Sequence, residues 1–169
     1  MILALDLEGT LITGVGDYDF TPRPGLRDFL ERAARRYEVV VFTSVWEFVA
    51  RRVVEQLARD GHAPEWFARV RIFNPPYDEE ERPGKKNLRA VGPAGAVILV
   101  DDDPGFVLED QVEEWIRIEP WWGKPGQEGD WELERVRIEI EERWTAQLAK
   151  RQAKIEREYA PMLKNLSKW

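Results

Sequence analysis

Short apolar runs, alternating with segments whose apolar residues recur every three or four positions, leave this chain few folds to adopt. Residues 2–7, 37–42, 70–73, 96–100 and 115–118 read as strands that are apolar almost throughout, the pattern of strands buried on both faces. Between them, residues 25–36 carry Leu26, Phe29, Leu30 and Ala33 on one helical face behind Pro24. Residues 45–58 carry Trp46, Val49, Val53 and Leu57 on another, until Gly61 stops the helix. Residues 74–84, with three prolines and an acidic stretch, read as a solvated loop, and 87–91 as a short helix. The alternation predicts an α/β fold, a Rossmann-like parallel sheet with helices on both faces. From about Asp130 a long C-terminal helix is expected. Leu133, Val136, Ile140, Trp144 and Leu148 keep its spacing, and Ile155, Tyr159, Met162 and Leu166 extend it less regularly. Pro161 is expected to break or kink it near Ala160.

At 169 residues the chain has room for one domain with a sizeable core. We place that domain at residues 1–148 and a basic helical extension at 149–169. Eight tryptophans exclude a disordered chain, and the lack of cysteine excludes disulfides, thiolate zinc sites and a cysteine nucleophile. The sole histidine, His62, falls at a helix end, which disfavours a serine-triad hydrolase. No run has the length of a signal-peptide core or a membrane span, so a cytoplasmic protein without membrane attachment is expected. The net charge of −7 is uneven: from Ala149 onward six Lys/Arg face two Glu, which leaves −11 on residues 1–148. An acidic body suits divalent cations and opposes a broad grip on nucleic acid. Arg151, Lys154, Arg157, Lys164 and Lys168, with Trp169 to stack, offer the tail a contact with single strands. A solvated helix, or one that joins two copies as a homodimer, is the preferred reading, because its apolar positions need a partner.

Ligands of parallel sheets gather at the carboxyl ends of the strands. The strongly polar residues stand there: Asp6 and Glu8 after the first strand, Thr43 and Ser44 after the second, Asp101, Asp102 and Asp103 after the fourth. Taken singly, each has a bland explanation. Asp6 and Glu8 would suit a strand-end turn, the aspartate run a helix cap, Thr43 a strand end, and Lys85 or Lys86 an exposed surface. Three separated segments converging on one edge point instead to phosphoryl transfer. That reaction needs a nucleophile, a metal to offset charge, donors to the phosphoryl oxygens and an acid/base. Asp6 and Glu8 offer carboxylates, Gly9 a sharp turn, Asp101 and Asp102 hard oxygen ligands for Mg²⁺, Thr43 a hydroxyl, and Lys86 or Lys85 a positive charge.

The same segments, in this order, resemble the four motifs of the haloacid-dehalogenase superfamily. Within it, the chain is most similar to the NIF-like branch of carboxy-terminal-domain phosphatases. Arg23-Pro24 ahead of Phe29-Leu30, Val41-Phe42-Thr43-Ser44, Lys86-Asn87-Leu88 before Gly92, and Val100-Asp101-Asp102-Asp103-Pro104 carry the likeness over about residues 1–120. The resemblance implies that Asp6 forms a phosphoaspartate and binds Mg²⁺ through its other oxygen. It gives Glu8 the acid/base role and a metal-ligating carbonyl. It has Thr43, with Ser44, hold the phosphoryl group, Lys86 rather than Lys85 neutralise it, and Asp101 and Asp102 hold the metal. Glu8 departs from the pattern, which has aspartate there. One extra methylene displaces the carboxylate by roughly 1 Å, enough to cost about a hundredfold in rate unless the site adapts. A phosphomonoesterase is therefore expected, with a phosphotransferase or a non-catalytic binding module as alternatives. A large cap has no room, which suits a bulky phosphorylated substrate such as a phosphoprotein or polynucleotide end. Trp46 is expected in the core, and Trp121-Trp122 under the C-terminal helix.

Overall fold

The computed structural model describes residues 1–166 apart from 17, 18 and 128, and for 151 and 160–166 the backbone alone. Five strands form one parallel sheet: β1 (Ile2–Leu5), β2 (Glu38–Phe42), β3 (Arg71–Phe73), β4 (Val97–Asp101) and β5 (Trp115–Arg117), in the order β3-β2-β1-β4-β5. The chain runs outward from β1 through β2 to β3, then returns to lay β4 on the other side of β1. The order therefore reverses at β1, and in sheets of this kind ligands bind at that switch point, here the carboxyl ends of β1 and β4. Asp6 and Asp101 flank it.

Strand side chains alternate between faces. Ala4, Val40, Phe42, Val97 and Leu99 lie on one side, in a buried cluster with Leu88, Val91 and Val107 from the loops. Leu3, Leu5, Val39, Val41, Ile98 and Val100 alternate with them and are also buried. Both faces are covered, which is why these strands could be apolar throughout.

Helix α1 (Leu26–Ala33) ends three residues before the expected Arg36, since 34–36 form turns. Gly25 caps it at φ +77, and Leu26, Phe29, Leu30 and Ala33 are buried as expected. Helix α2 (Glu47–Arg59) buries Ala50, Val53, Val54 and Leu57. Each such Val or Leu contributes about 1.5–3 kcal/mol by leaving water. Trp46 is not in this core. It is the extended residue before α2, so the helical spacing does not reach it, and it is 42% exposed. Trp121 is buried as expected, its backbone N–H donates to Gly9 O and its Nε1 to Thr21 O, and it braces the loop after β1. Trp122 is exposed.

Two compact units divide at Arg137 and Ile138, inside α3 (Glu132–Leu166). In the first unit, Leu133 and Val136 are buried. In the second, the helix carries the ion pairs Arg143–Glu139 and Lys154–Glu158 and exposes Leu148, Ile155 and Tyr159. It runs past Pro161 to Leu166, so Pro161 does not break it; proline removes one backbone donor there without stopping the helix. Lys168 and Trp169 lie outside the described residues, as do the side chains of Arg151, Lys164, Met162 and Leu166. Among the described residues no helix is long and apolar enough to cross a membrane.

Candidate active site

Asp6 follows β1 directly, and its N–H still bonds to Val100 O, so the strand carries its carboxylate to the sheet's rim. Asp101 ends β4 beside it. Lys86 comes from a loop whose backbone is pinned to the segment after β4. Its N–H donates to Phe106 O at 2.8 Å, and it bridges in parallel to Val107. This pairing turns the Lys86 side chain inward, where Nζ donates to Asp6 Oδ1 at 2.7 Å and to Asp101 Oδ2 at 2.5 Å. The Phe106 ring lies 5.2 Å from the ammonium. Lys85 instead donates to Val107 O at 3.1 Å, so of the two lysines it is Lys86 whose ammonium meets the carboxylates.

Asp6, Asp101 and Asp102 bring one oxygen each within 4.8 Å of one another. When all three are ionised, three carboxylates around one ammonium leave two surplus negative charges, the complement of a divalent cation, and their oxygens are hard ligands of the kind Mg²⁺ takes. Asp101 already spends Oδ1 on the N–H of Asp103 and Oδ2 on Lys86, whereas Asp102 accepts a longer bond, 3.3 Å, from Thr10 Oγ1. Asp103 is the helix cap in this run: its Oδ1 accepts from Gly105 N–H at 2.7 Å. Capping thus falls to Asp103, outside the cluster formed by Asp6, Asp101 and Asp102.

Burial, then the charge of Asp6, pushes the Asp101 carboxyl up to about 7 despite Lys86. The same two causes push Asp102 up to about 6. Burial alone would lower the Lys86 ammonium, but Asp6 and Asp101 more than offset it and hold it above its ordinary value. Carboxyls raised by folding favour the folded state while they are protonated. That contribution is present below about pH 4 and is lost as pH rises through about 6 and 7. The chain in excess chelator is therefore expected to melt at lower temperature as pH goes from about 5 to 8, and Mg²⁺ should restore stability at the upper end. A melting temperature independent of pH over this range would contradict the crowding of these carboxylates.

Gly9 makes the close approach feasible. Its φ is +74°, and a Cβ there would lie 2.6 Å from Asp102 Cγ and 2.7 Å from Oδ1. Gly9→Ala is expected to lower Mg²⁺ affinity about 10- to 100-fold by displacing Asp102. Calorimetric titration showing wild-type affinity in that variant would refute the assignment.

Thr43 is fully buried just after β2, and its Oγ1 accepts from Val45 N–H at 3.2 Å, which leaves the hydroxyl proton to donate elsewhere. Ser44 is half-buried, and its carbonyl accepts from the Tyr77 hydroxyl at 2.8 Å. Glu8 stands apart from the acidic cluster: its Oε1 accepts from Val15 N–H at 2.7 Å, in the loop between β1 and α1. The site also has parts that the sequence did not disclose. Tyr77 stacks on Trp46 with ring centroids 4.2 Å apart and planes 7° from parallel, so the 74–84 loop is built against the segment after β2. Asn74 secures the same place by donating to Thr43 O and Val45 O. An asparagine–proline start to a loop was the one available signal, and it does not name the partner.

Residues 1–151 match the family described as NLI interacting factor-like phosphatase. Among curated proteins, the chain is 32% identical over 104 residues to the mitochondrial import inner membrane translocase subunit TIM50 of Yarrowia lipolytica, covering 62% of this chain and 22% of that protein. Among solved structures it resembles a beryllium fluoride complex of the fission yeast RNA polymerase II CTD phosphatase Fcp1, with 20% identity and TM-score 0.53, over 99% of this chain and 56% of that one. It also resembles a structure of Fcp1 described as an essential RNA polymerase II CTD phosphatase, with 20% identity and TM-score 0.54, over 90% and 52%. The chain thus spans about half the length of these structures and about a fifth of the translocase subunit.

Proposed function

Because the chain belongs to the NLI interacting factor-like phosphatase family, we propose that it is a Mg²⁺-dependent phosphomonoesterase working through a phosphoaspartate on Asp6. The observation that carries this reading is the buried Lys86 ammonium bonded to both Asp6 and Asp101, with Asp102 alongside. Lys86 fixes the rotation of the Asp6 carboxylate and faces an incoming phosphoryl group with positive charge. Thr43 donates its hydroxyl proton to a phosphoryl oxygen. Asp6, Asp102, the Glu8 carbonyl and, directly or through water, Asp101 would hold Mg²⁺, which when bound offsets the charge of the phosphoryl group.

In the first half-reaction, the Asp6 carboxylate forms a bond to phosphorus while the ester P–O bond breaks, and the leaving oxygen takes a proton from the Glu8 carboxyl. In the second, Glu8 accepts a proton from water as the water oxygen attacks phosphorus, the bond to Asp6 breaks, and inorganic phosphate departs. Glu8 must release Val15 N–H to reach the phosphoryl group. A side chain one methylene longer than aspartate can serve both positions, and on that ground we read the site as adapted rather than handicapped. Glu8→Asp is therefore expected to lower kcat about tenfold or more. A rise in kcat would mean that glutamate is an impediment.

Between α2 and β4 the described residues form only the short helices Glu65–Arg69 and Leu88–Ala90, β3 and loops, with no cap domain. This openness, the acidic body and the likeness to Fcp1 support a phosphoprotein substrate over a polynucleotide end. A binding module that kept the fold is the rival reading, and the seat of Glu8 on Val15 is what favours it. Acid quenching with a ³²P-labelled phosphoester and Mg²⁺ separates the two. The phosphomonoesterase leaves hydroxylamine-labile label on the protein and releases phosphate, whereas the module does neither.

A further inference from the structure

We propose that Arg23 and Asp130 form a positioning pair that sets Asp102 for a divalent cation, acting through the backbone of Gly9 and Thr10. The inference rests on the metal-site reading above. The Arg23 side chain is 0% exposed, and one edge of its guanidinium grips Asp130, with Nε 2.8 Å from Oδ1 and Nη2 2.9 Å from Oδ2. The other hydrogens reach back to the site: Nη1 donates to Thr10 O at 3.0 Å and to Gly9 O at 3.4 Å, and Nη2 donates to Glu119 O at 2.6 Å.

The two carbonyls held by Nη1 belong to the residues that meet Asp102. Gly9 lies against its carboxylate, and Thr10 Oγ1 donates to its Oδ1. Glycine at φ +74° has little intrinsic preference for that conformation, so its local sequence alone does not fix the peptide planes beside Asp102. Arg23 fixes them from behind, joined by the Trp121 N–H, which also donates to Gly9 O. A planar fork holds a carboxylate by two parallel bonds while its remaining donors reach the carbonyls, five donors in fixed directions where an ammonium has three. A buried ion pair adds little net stability compared with apolar packing, so stability alone gives a weak reason for an arginine here. Control of geometry gives a better one. Asp130 completes the device: it neutralises the buried guanidinium, and its Oδ1 also accepts from Glu132 N–H at the start of α3.

The test measures Mn²⁺ binding to the full chain by electron paramagnetic resonance, alongside thermal melting, for wild type, Arg23→Lys and Leu57→Ala. Leu57 is fully buried in α2 and serves as a destabilised control. Arg23→Lys is expected to weaken Mn²⁺ binding about 10- to 100-fold, the effect of losing a group that orients a metal ligand, while Leu57→Ala melts early but binds like wild type. If Arg23→Lys melts early and binds Mn²⁺ with wild-type affinity, the pair only braces the fold and the proposal is overturned. If Arg23→Lys does not fold, Asp130→Asn, which preserves the side-chain shape, carries the same two outcomes. Wild type that binds no Mn²⁺ overturns the metal-site reading and this inference together, a result distinct from a variant that binds normally.

Discussion

Asp6→Asn is expected to reduce phosphate release from p-nitrophenyl phosphate by about 10⁴-fold or more, because the amide cannot form the covalent intermediate. The same substitution should leave the metal-free fold as stable as wild type, or more so, at neutral pH. Asp6 is one of two carboxylates sharing Lys86, and its charge is one cause of the raised Asp101 carboxyl. With asparagine at position 6, an amide oxygen can still accept from Lys86, the ammonium is matched by Asp101, and one surplus negative charge is gone. Chelator-treated protein should therefore lose less stability between about pH 5 and 8 than wild type does. Activity assays and melting curves on one preparation check both halves. Residual activity above about a hundredth of wild type would point to another nucleophile. A large fall in melting temperature would show that the Asp6 carboxylate is needed for folding.

Lys86→Met should give the opposite combination, in which activity and stability fall together. The lysine side chain is 0% exposed and is bonded to two buried carboxylates. Removing one partner from a buried ionic group costs about 3–5 kcal/mol, because the charges left behind are desolvated and uncompensated. For a chain of this size that lowers the melting temperature by roughly 10 °C. Loss of a cation facing the transferred phosphoryl group should also cost about 10²- to 10³-fold in kcat. Mg²⁺ should recover part of the stability by supplying positive charge to the same carboxylates. Lys85→Met, next in the chain but bonded to the Val107 carbonyl, should change both quantities little. Equal effects of the two substitutions would refute the distinct role assigned to Lys86.

These two variants depend on features of unequal legibility. The strands were readable because both faces of the sheet are covered, so apolar residues run on without alternation, and Asp6 and Asp101 stand where those runs end. The choice between Lys85 and Lys86 was not settled by the chain's own pattern. Which of them meets the carboxylates follows from the backbone pairing of Lys86 with Phe106 and Val107, which sends its side chain inward while that of Lys85 turns to a carbonyl. Trp46 fitted the helical spacing of α2, but the helix begins one residue later, and the ring stacks on Tyr77 instead. Glu8, read as the acid/base, is held by Val15 N–H in the loop before α1, a partner that the local pattern does not disclose.

By itself the sequence determined the parallel sheet and the rim where charge collects, because burial of apolar runs and the termination of strands are written in neighbouring residues. The tertiary structure alone decided which charges meet. Asp6 and Lys86 are 80 residues apart, Lys86 and Asp101 are 15 apart, and Arg23 and Asp130 are 107 apart. Hydrogen bonds between such groups form only within about 3 Å, a distance that no local pattern encodes and only the packed sheet and its loops can set.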